Sequence, residues 1–175
     1  MLNFKWCEFS ELTSKQLYDI LALRASVFVV EQHCPYLDPD GRDFFSMHLL
    51  GLEENSLVAY LRLFLPTEIE NHLTFGRVVT AKSARTKGYG RKLIRELLSY
   101  CDMHYPGIRI QCSAQNYLKK FYEEFDFKSY GSVYEEDGIP HITMQRTLYN
   151  RNNQSGFPGS NLSARSNFKL TLVLQ

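Results

Sequence analysis

Apolar residues recur along most of the chain at spacings that change between those of strands and those of helices. A short strand is predicted at the start, around Phe4 and Trp6, and residues 11–32 then follow a helical pattern. Thr13 and Gln16 form a capping box at the beginning of that helix. Its apolar stripe consists of Ile20, Leu23, Val27 and Val30.

Arg24 and Glu31 lie on a neighbouring stripe of the same predicted helix, two turns apart. They would share a face if the helix runs without interruption, and an ion pair between them is one role that the pattern allows. The next segment, "CPYLDPDGRD" (residues 34–43), is rich in proline and aspartate and predicts a loop.

The middle of the chain predicts a hairpin, a further strand and a long helix. Two apolar runs surround Glu54-Asn55-Ser56, and "HLTFGRVVT" (residues 72–80) continues with strand character. A second helix begins within "ARTKGYGRKLIREL" (residues 84–97) and ends at Pro106-Gly107. Its buried stripe is formed by Ile94, Leu98, Cys101 and Tyr105.

The last part predicts a strand at "IRIQCS", a helix at "QNYLKKFYEEF" with Leu118, Phe121 and Phe125 facing inward, and two strands around a Gly-Ile-Pro turn. The order β-α-β-β-β-α-β-α-β-β indicates one mixed α/β domain over residues 1–149. Residues 150–175 are rich in Asn, Ser and Gly and predict a flexible tail. The end of that tail, "FKLTLVLQ", is apolar enough to form a short strand at a sheet edge.

Composition narrows the classes of function. Of the 175 residues, 44% are hydrophobic and 22% charged, and the formal net charge is +1. This balance argues against nucleic-acid or membrane binding driven by overall charge. The N-terminus lacks a signal-peptide pattern, and the four cysteines and five histidines show no metal-ligand spacing. We therefore expect reduced thiols, no metal and a cytoplasmic protein.

Two glycines stand where the second helix begins, in the pattern Arg85-x-x-Gly88-x-Gly90. Backbone N–H groups in the first turn of a helix have no intrahelical partner, and the helix dipole adds partial positive charge there. Glycine lets an anion approach such a backbone closely, so the strand–loop–helix context favours a pyrophosphate site over a solvated basic turn. Neither the P-loop pattern nor the three-glycine dinucleotide pattern is present.

The segment from "FGRVVT" through "RTKGYGRKL" resembles the acyl-CoA-binding motif of the GNAT superfamily of N-acetyltransferases, Arg/Gln-x-x-Gly-x-Gly/Ala. The runs "LRASVFVVEQHCPY", "DPDG", "VAYLR" and "VYEEDGIPHI" further resemble the ElaA-like branch, over roughly Trp6 to Leu148. The resemblance implies a GNAT acyl-CoA N-acyltransferase fold, with a mixed, mostly antiparallel sheet, a splayed central strand pair and flanking helices. It also implies acetyl-CoA as co-substrate and an amine as acceptor.

The resemblance further implies which residues hold coenzyme A. The strand that contains Val78 and Val79 would bind the pantetheine arm through free backbone groups, and the amides of residues 87–91 would bind the pyrophosphate. Gln115 takes the place of an asparagine that touches the cofactor in many relatives. The candidates are Val78, Val79, Arg85, Lys87, Gly88, Tyr89, Gly90, Arg91, Lys92 and Gln115, with Lys82 and Arg95 as further phosphate ligands.

Acyl transfer from a thioester to an amine needs an aimed, neutral amine and a proton for the leaving thiolate. Tyr122 stands where the family has a tyrosine donor, and its alternative role is ordinary aromatic packing. Glu31 is a candidate base or a partner of Arg24. His141 is a second candidate base or a surface histidine, on the strand face opposite to the inward-facing Ile142 and Met144.

The acceptor and two other functions stay open at this point. Loop acids near the predicted cleft would favour a cationic acceptor, such as a polyamine, an amino sugar, or a lysine or N-terminal amine of a protein. An acyl-homoserine-lactone-synthase-like enzyme and an acyl-CoA-binding sensor without turnover are alternatives, and pairing at a sheet edge would allow a homodimer. The acids are Asp38, Asp40, Asp43, Glu135, Glu136 and Asp137.

Overall fold

The computed structural model describes residues 1–148, so the predicted tail, 150–175, lies outside the described residues. In this described part, three α-helices flank one sheet: α1 (Ser14–Arg24), α2 (Tyr89–His104) and α3 (Lys119–Glu123). The strands are β1 (Leu2–Glu8), β2 (Met47–Glu53), β3 (Ser56–Phe64), β4 (Leu73–Thr80), β5 (Arg109–Gln115), β6 (Lys128–Glu136) and β7 (Ile139–Thr147).

The seven strands follow the order β1-β2-β3-β4-β5-β7-β6, and all neighbours are antiparallel except β4 and β5. Those two central strands are parallel and are joined at only two residue pairs, Leu73 with Ile110 and Thr74 with Gln111. Beyond Thr74 they separate. This is the mixed sheet with a splayed central pair that the family resemblance implied.

A bulge bends β4 just beyond the point where the two strands part. Tyr60 of β3 lies opposite Val79, whereas Arg62 lies opposite Gly76, so one residue of β3 faces two residues of β4. Arg77, inside the bulge, has a φ of 52°. A bulge of this kind increases the local twist and redirects side chains, which widens the gap between β4 and β5.

The two hairpins are closed by two-residue turns of residues with positive φ. Glu54 and Asn55 join β2 to β3, with φ of 50° and 65°. The second turn is Asp137-Gly138, with φ of 51° and 76°, and the predicted Gly-Ile-Pro turn is therefore wrong in register. Such turns match the twist of the paired strands, so Ile139 and its neighbour already belong to β7.

The core lies on both faces of the sheet. Tyr60 and Leu61 are both fully buried but belong to different clusters, because successive strand residues point to opposite faces. One face packs against α1 and the other against α2. The side chains of α2 that are buried there are Leu93, Ile94, Leu97, Leu98 and Cys101.

The predicted first helix is not continuous. The α-helical part ends at Arg24, and Ala25–Glu31 forms a π-helix, with bonds such as that from the Gln32 amide to the Val27 carbonyl at 3.1 Å. Each π turn contains more residues than an α turn, so extrapolated faces rotate out of register. Val30 is accordingly 68% exposed and not part of the buried stripe.

Within residues 1–148, no helix is both long enough and apolar enough to cross a membrane. All four cysteines are free thiols, and three of them, Cys7, Cys101 and Cys112, are buried.

Candidate active site

A cleft opens between β4 and β5 beyond Thr74, with a cavity of about 380 Å³. Thr74, Gly76 and Val78 line it from β4, and Ser113 and Gln115 line it from β5. Because the two strands are paired only at their beginnings, their facing edges are left without a strand partner in the described part of the chain. Free backbone groups therefore border the cleft on both sides.

The glycine loop, residues 85–90, leads into α2. Gly88 caps the helix with a φ of 73°, in the left-handed region that glycine adopts without strain. The first amide to bond is that of Lys92, 3.1 Å from the Gly88 carbonyl, and the backbone amides of residues 87–91 donate no hydrogen bond within the described residues. Several unpaired donors thus converge at a helix N-terminus, which is the arrangement that binds phosphates.

The side chains of this loop are tied to carboxylates. Arg85 forms two hydrogen bonds to Glu31, at 2.7 and 3.0 Å, and Arg91 forms two to Glu124, both at 2.9 Å. The hydrogen bonds from Arg85 lower the pKa of Glu31. These pairs are exposed to solvent, so each contributes little to stability and can exchange its carboxylate for another anion.

Two more of the predicted cofactor residues, Lys87 and Tyr89, share one carboxylate. The Lys87 ammonium lies 2.9 Å from Glu53, and the Tyr89 hydroxyl is hydrogen-bonded to the same side chain. The bond to Glu53 raises the pKa of Lys87. Lys92 lies over the Tyr89 ring, 5.4 Å from its centroid. The loop therefore presents its main chain outward while two of its side chains anchor it to β2.

The predicted cofactor residues on β4 and β5, which are Val78, Val79 and Gln115, contact the cleft in different ways. The Val78 side chain lines the cleft, but that of Val79 is buried in the α1 face of the core. Only the backbone of Val79 is available to a ligand. Gln115, at the end of β5, lines the opposite side and is hydrogen-bonded to Gln32 at 3.2 Å, which ties β5 to the π-helical segment.

Tyr122 lies on α3, lines the cleft and is only 4% exposed. Its ring packs against Phe75, Phe121 and Phe127. Burial raises the pKa of Tyr122 well above its ordinary value, so the hydroxyl keeps its proton. No side chain among residues 1–148 forms a hydrogen bond to this hydroxyl. The structure therefore shows both of the expected features, aromatic packing and a place in the cleft wall.

The two candidate bases lie in different surroundings. Glu31 is bound to Arg85 at the glycine loop and does not pair with Arg24, so the ion pair that the helical pattern allowed is wrong. His141 lines the cleft from β7, while Ile142 and Met144 are buried on the opposite face, as expected. The Nδ1 atom of His141 lies 2.7 Å from the Ile139 carbonyl oxygen.

The predicted loop at residues 34–43, here named the aspartate loop, supplies acids to a buried ion network. Arg24 is fully buried, with Nε 2.8 Å from Asp38 and Nη1 2.8 Å from Asp43. Arg62 is hydrogen-bonded to Asp43 and Asp40, and Arg77 binds Asp38 at 2.7 Å. Three aspartates are thus neutralised by three arginines, and of the three only Asp40 is among the residues that line the cleft.

The network rests on a buried histidine. His48 Nδ1 lies 2.8 Å from the Tyr60 hydroxyl, and Nε2 lies 3.0 Å from the Asp43 carbonyl. Burial lowers the pKa of His48, which keeps its imidazole neutral. Since a carbonyl only accepts, Nε2 carries the hydrogen and Nδ1 accepts the hydrogen bond of Tyr60. These hydrogen bonds hold Asp43, the last residue of the aspartate loop, against β2.

The other wall of the cleft is formed by β5, β7 and their hairpin. Ser113 Oγ lies 2.9 Å from Glu136 and 2.6 Å from the Tyr134 hydroxyl. The Cys34 thiol donates to the Asp137 carbonyl at 3.4 Å, which joins the aspartate loop to the hairpin turn. Glu136 and Asp137 line the cleft, as expected for acids near it, whereas Glu135 is not among the lining residues.

Sequence reasoning missed several lining residues, among them Arg42, Arg62 and Arg77. Arg62 and Arg77 lie within runs that carry the family resemblance, but the three arginines reach the cleft from different elements, so no local pattern indicated that they line it together. The one available signal was alternation in "IRIQCS", which places Ser113 on the face opposite to the buried Cys112. In the described part of the chain, no cluster of three or more His, Cys, Asp or Glu side chains could hold a metal.

Residues 44–148 match the family model of the acetyltransferase (GNAT) domain. A UPF0039 protein of Synechocystis is 42% identical over 144 residues, which cover 82% of this chain and 94% of the relative. Protein ElaA of Escherichia coli is 40% identical over 150 residues, which cover 85% of this chain and 98% of ElaA.

Two solved structures are similar to this chain, and each match covers 83% of this chain and 99% of the solved chain. The crystal structure of an acyl-CoA N-acyltransferase from Pseudomonas aeruginosa has a TM-score of 0.79 at 38% identity. That of Escherichia coli ElaA has a TM-score of 0.77 at 40% identity. The likeness extends through both halves of the sheet and therefore includes the cleft.

Proposed function

Because this chain belongs to the GNAT family of acetyltransferases, in its ElaA-like branch, we propose that it transfers an acetyl group from acetyl-CoA to a primary amine. The transfer is direct, with both substrates bound at once. The observation that carries this function is the presence of two sets of unpaired backbone groups, the facing edges of β4 and β5 beyond Thr74 and the amides of residues 87–91, which follow β4 in the chain.

The glycine loop binds the pyrophosphate of coenzyme A through these amides. Arg85 and Arg91 exchange Glu31 and Glu124 for phosphate oxygens at little cost, since both pairs are exposed. Lys92, with Lys82 and Arg95, supplies further charge for the remaining phosphate. The pantetheine arm then lies along β4, beside Val78 and the backbone of Val79, with Gln115 on the opposite side.

Tyr122 supplies the proton for the leaving group. The amine nitrogen attacks the thioester carbonyl carbon, a C–N bond forms, the C–S bond breaks, and the sulfur takes the hydroxyl proton of Tyr122. Burial raises the pKa of Tyr122, so the hydroxyl is protonated at neutral pH and has a proton to donate. Its surroundings are apolar rings, so a developing thiolate is poorly solvated and gains most from that one donor.

His141 accepts the proton that the amine loses. Its Nδ1 donates to the Ile139 carbonyl, which leaves the Nε2 lone pair free to act as the base. Glu31 is the weaker candidate, because Arg85 lowers the pKa of Glu31 and because it does not line the cleft. We assign Glu31 to the cofactor end, as the exchangeable partner of Arg85.

Two measurements test this function. Calorimetry should show heat on binding of both acetyl-CoA and free CoA, and acetyl-CoA with a panel of amines should release free thiol. Binding of CoA without thiol release for any amine would indicate a sensor and overturn the enzymatic proposal. Failure to bind either form would overturn both.

We place this reaction in the cytoplasm, where four free cysteines would stay reduced.

A further inference from the structure

Charges in the cleft are unevenly compensated. Arg62 and Arg77 line it but are held by aspartates, whereas Arg42 lines it with no carboxylate in ion-pair distance among residues 1–148. The Arg42 guanidinium is exposed and lies over the Phe64 ring, 4.3 Å from its centroid. Stacking of this kind holds the planar group in place and leaves its N–H donors available to an anion.

A second arginine beside the Phe64 ring has an N–H donor without an acceptor. Arg62 is 3% exposed, lies 5.0 Å from the Phe64 centroid, and its Nε has no hydrogen-bond partner in the described part of the chain. A buried donor without a partner is costly, so both arginines indicate a shortage of acceptors at this end of the cleft.

Uncompensated acids lie toward the other end. Glu136 and Asp137 line the cleft, and neither forms an ion pair with a cation of the described residues. His141 lies between them and β5, because it pairs with Gln115 across the sheet. These groups suit an amine that arrives as an ammonium ion and must lose a proton before it attacks.

Strand register gives the separation of the two ends. Phe64 lies opposite Thr74, which pairs with Gln111 of β5, so Arg42 stands at the closed end of the cleft. Ser113, the partner of Glu136, is two residues farther along β5, and Gln115 is four residues farther. At about 3.3 Å per residue, the two ends are offset by about 7 to 13 Å along the strand direction, in addition to the sideways spacing of the strands that carry them.

From this arrangement we infer that the acceptor is a small amino acid in the broad sense, a primary amine that also carries a carboxylate. Arg42 binds the carboxylate at the closed end, and the amine lies between Tyr122 and the His141 end. This inference rests on the proposed acetyl transfer and adds its substrate class. It adds a carboxylate to the cationic acceptor that the loop acids suggested, since three of those acids are neutralised.

The test uses matched pairs of acceptors. Straight-chain ω-amino acids from glycine to 6-aminohexanoate, together with the common α-amino acids, are compared with alkylamines of equal length, and thiol release is followed. For the best pair, kcat/KM should be about tenfold or more higher for the carboxylate-bearing member, as a charge-assisted bidentate contact requires. The length dependence should show an optimum set by the distance between the two ends.

Arg42→Gln should lower the ratio of kcat/KM between the two members of that pair by about tenfold or more, mainly through KM for the amino acid. Arg42→Lys, which keeps charge but not the planar fork, should restore part of the ratio. Lys15→Gln, on an exposed part of α1, is the matched control and should leave the ratio unchanged.

Each possible outcome of these experiments either supports or overturns the inference. This inference is overturned if alkylamines or polyamines are acetylated with no preference for a carboxylate, or if no amino acid is acetylated. It is also overturned if the preference survives in Arg42→Gln. In each of these cases the acetyltransferase proposal stands. Absence of thiol release with every amine overturns both, and calorimetry with CoA then reports separately on the glycine loop.

Discussion

The Nδ1 atom of His141 lies 2.7 Å from the carbonyl oxygen of Ile139, two residues earlier in β7. A carbonyl can only accept, so this contact fixes the tautomer with hydrogen on Nδ1 and a lone pair on Nε2. The imidazole ring also stacks near Tyr134, with centroids 6.2 Å apart. Both contacts orient a basic nitrogen in the wall of the cleft.

This orientation leads to a comparison of two variants. We expect His141→Gln to abolish the acidic limb of the profile of kcat/KM against pH, because the group whose protonation stops catalysis is gone. Glu31→Gln should keep that limb, since Glu31 is bound to Arg85 outside the cleft. A profile that loses its limb only in Glu31→Gln would reverse the assignment.

Tyr122→Phe should lower kcat by about 10² to 10⁴ and leave the dissociation constant of CoA within about twofold, since a general acid acts in the transition state. The ring contacts with Phe75 and Phe127 remain in the variant, so the fold should be unaffected. Tyr130→Phe, at a hydroxyl on the exposed strand β6, serves as the control. Unchanged kcat in Tyr122→Phe would remove the tyrosine from the mechanism.

The two loop glycines should respond differently to alanine. Gly88 has a φ of 73° with no atom within 4 Å of an added Cβ, so Gly88→Ala strains the backbone alone, by about 1 to 2 kcal/mol, and should weaken CoA binding. At Gly90 a Cβ would meet Phe121 and Thr80 at 3.9 Å, an ordinary contact, so Gly90→Ala should fold as well as the native chain. Urea unfolding and calorimetry check both, and equal CoA affinity in Gly88→Ala would contradict the role of the loop.

Arg24→Met should reduce the free energy of unfolding by about 3 to 5 kcal/mol, because it leaves Asp38 and Asp43 buried without one of their cations. Lys15→Met is the contrasting variant, since the Lys15–Asp19 pair is exposed and worth about 0.5 kcal/mol or less. Denaturant titrations of both measure the difference. A loss below about 1 kcal/mol for Arg24→Met would show that the network relaxes or hydrates.

The Asp40 carboxyl should make the free energy of unfolding depend on pH in the acid range. Hydrogen bonds from Arg62 hold the pKa of the Asp40 carboxyl well below its usual range. A carboxyl whose pKa is lower in the folded than in the unfolded state stabilises the fold above about pH 4, and that contribution declines as pH falls toward the folded value. Asp40→Asn should therefore be less stable than the native chain at pH 7, and the gap should narrow below about pH 4. A gap that is constant with pH would contradict this coupling.

Local patterns were sufficient for much of the fold. The hairpin at Glu54-Asn55, the helix after Gly88 and the alternation around Ile142 follow from rules that act within a few residues. Family resemblance supplied the splayed central pair, which no local pattern could show. The acetyl donor and the individual site residues remain proposals.

Patterns failed where distant segments decide the structure. The π-helix after Arg24 rotates Glu31 away from the predicted face, and the segment is held by contacts such as Gln32 with Gln115. The ion network joins Asp38 to Arg77, 39 residues away, through a bulge that depends on sheet pairing. No local pattern pairs these two residues with each other, so the neutralisation of the aspartates could not be foreseen.

The joint between β4 and β5 consists of only two residue pairs, and it separates strands β1–β4 from strands β5–β7 within the sheet. The glycine loop follows β4, while Ser113, Glu136 and His141 come from the strands beyond the joint. Substitutions at the unpaired edges beyond this joint can therefore accumulate with little disturbance of the strand pairing. A lineage with this architecture can keep its paired core constant and still exchange one set of side chains at the cleft edge for another.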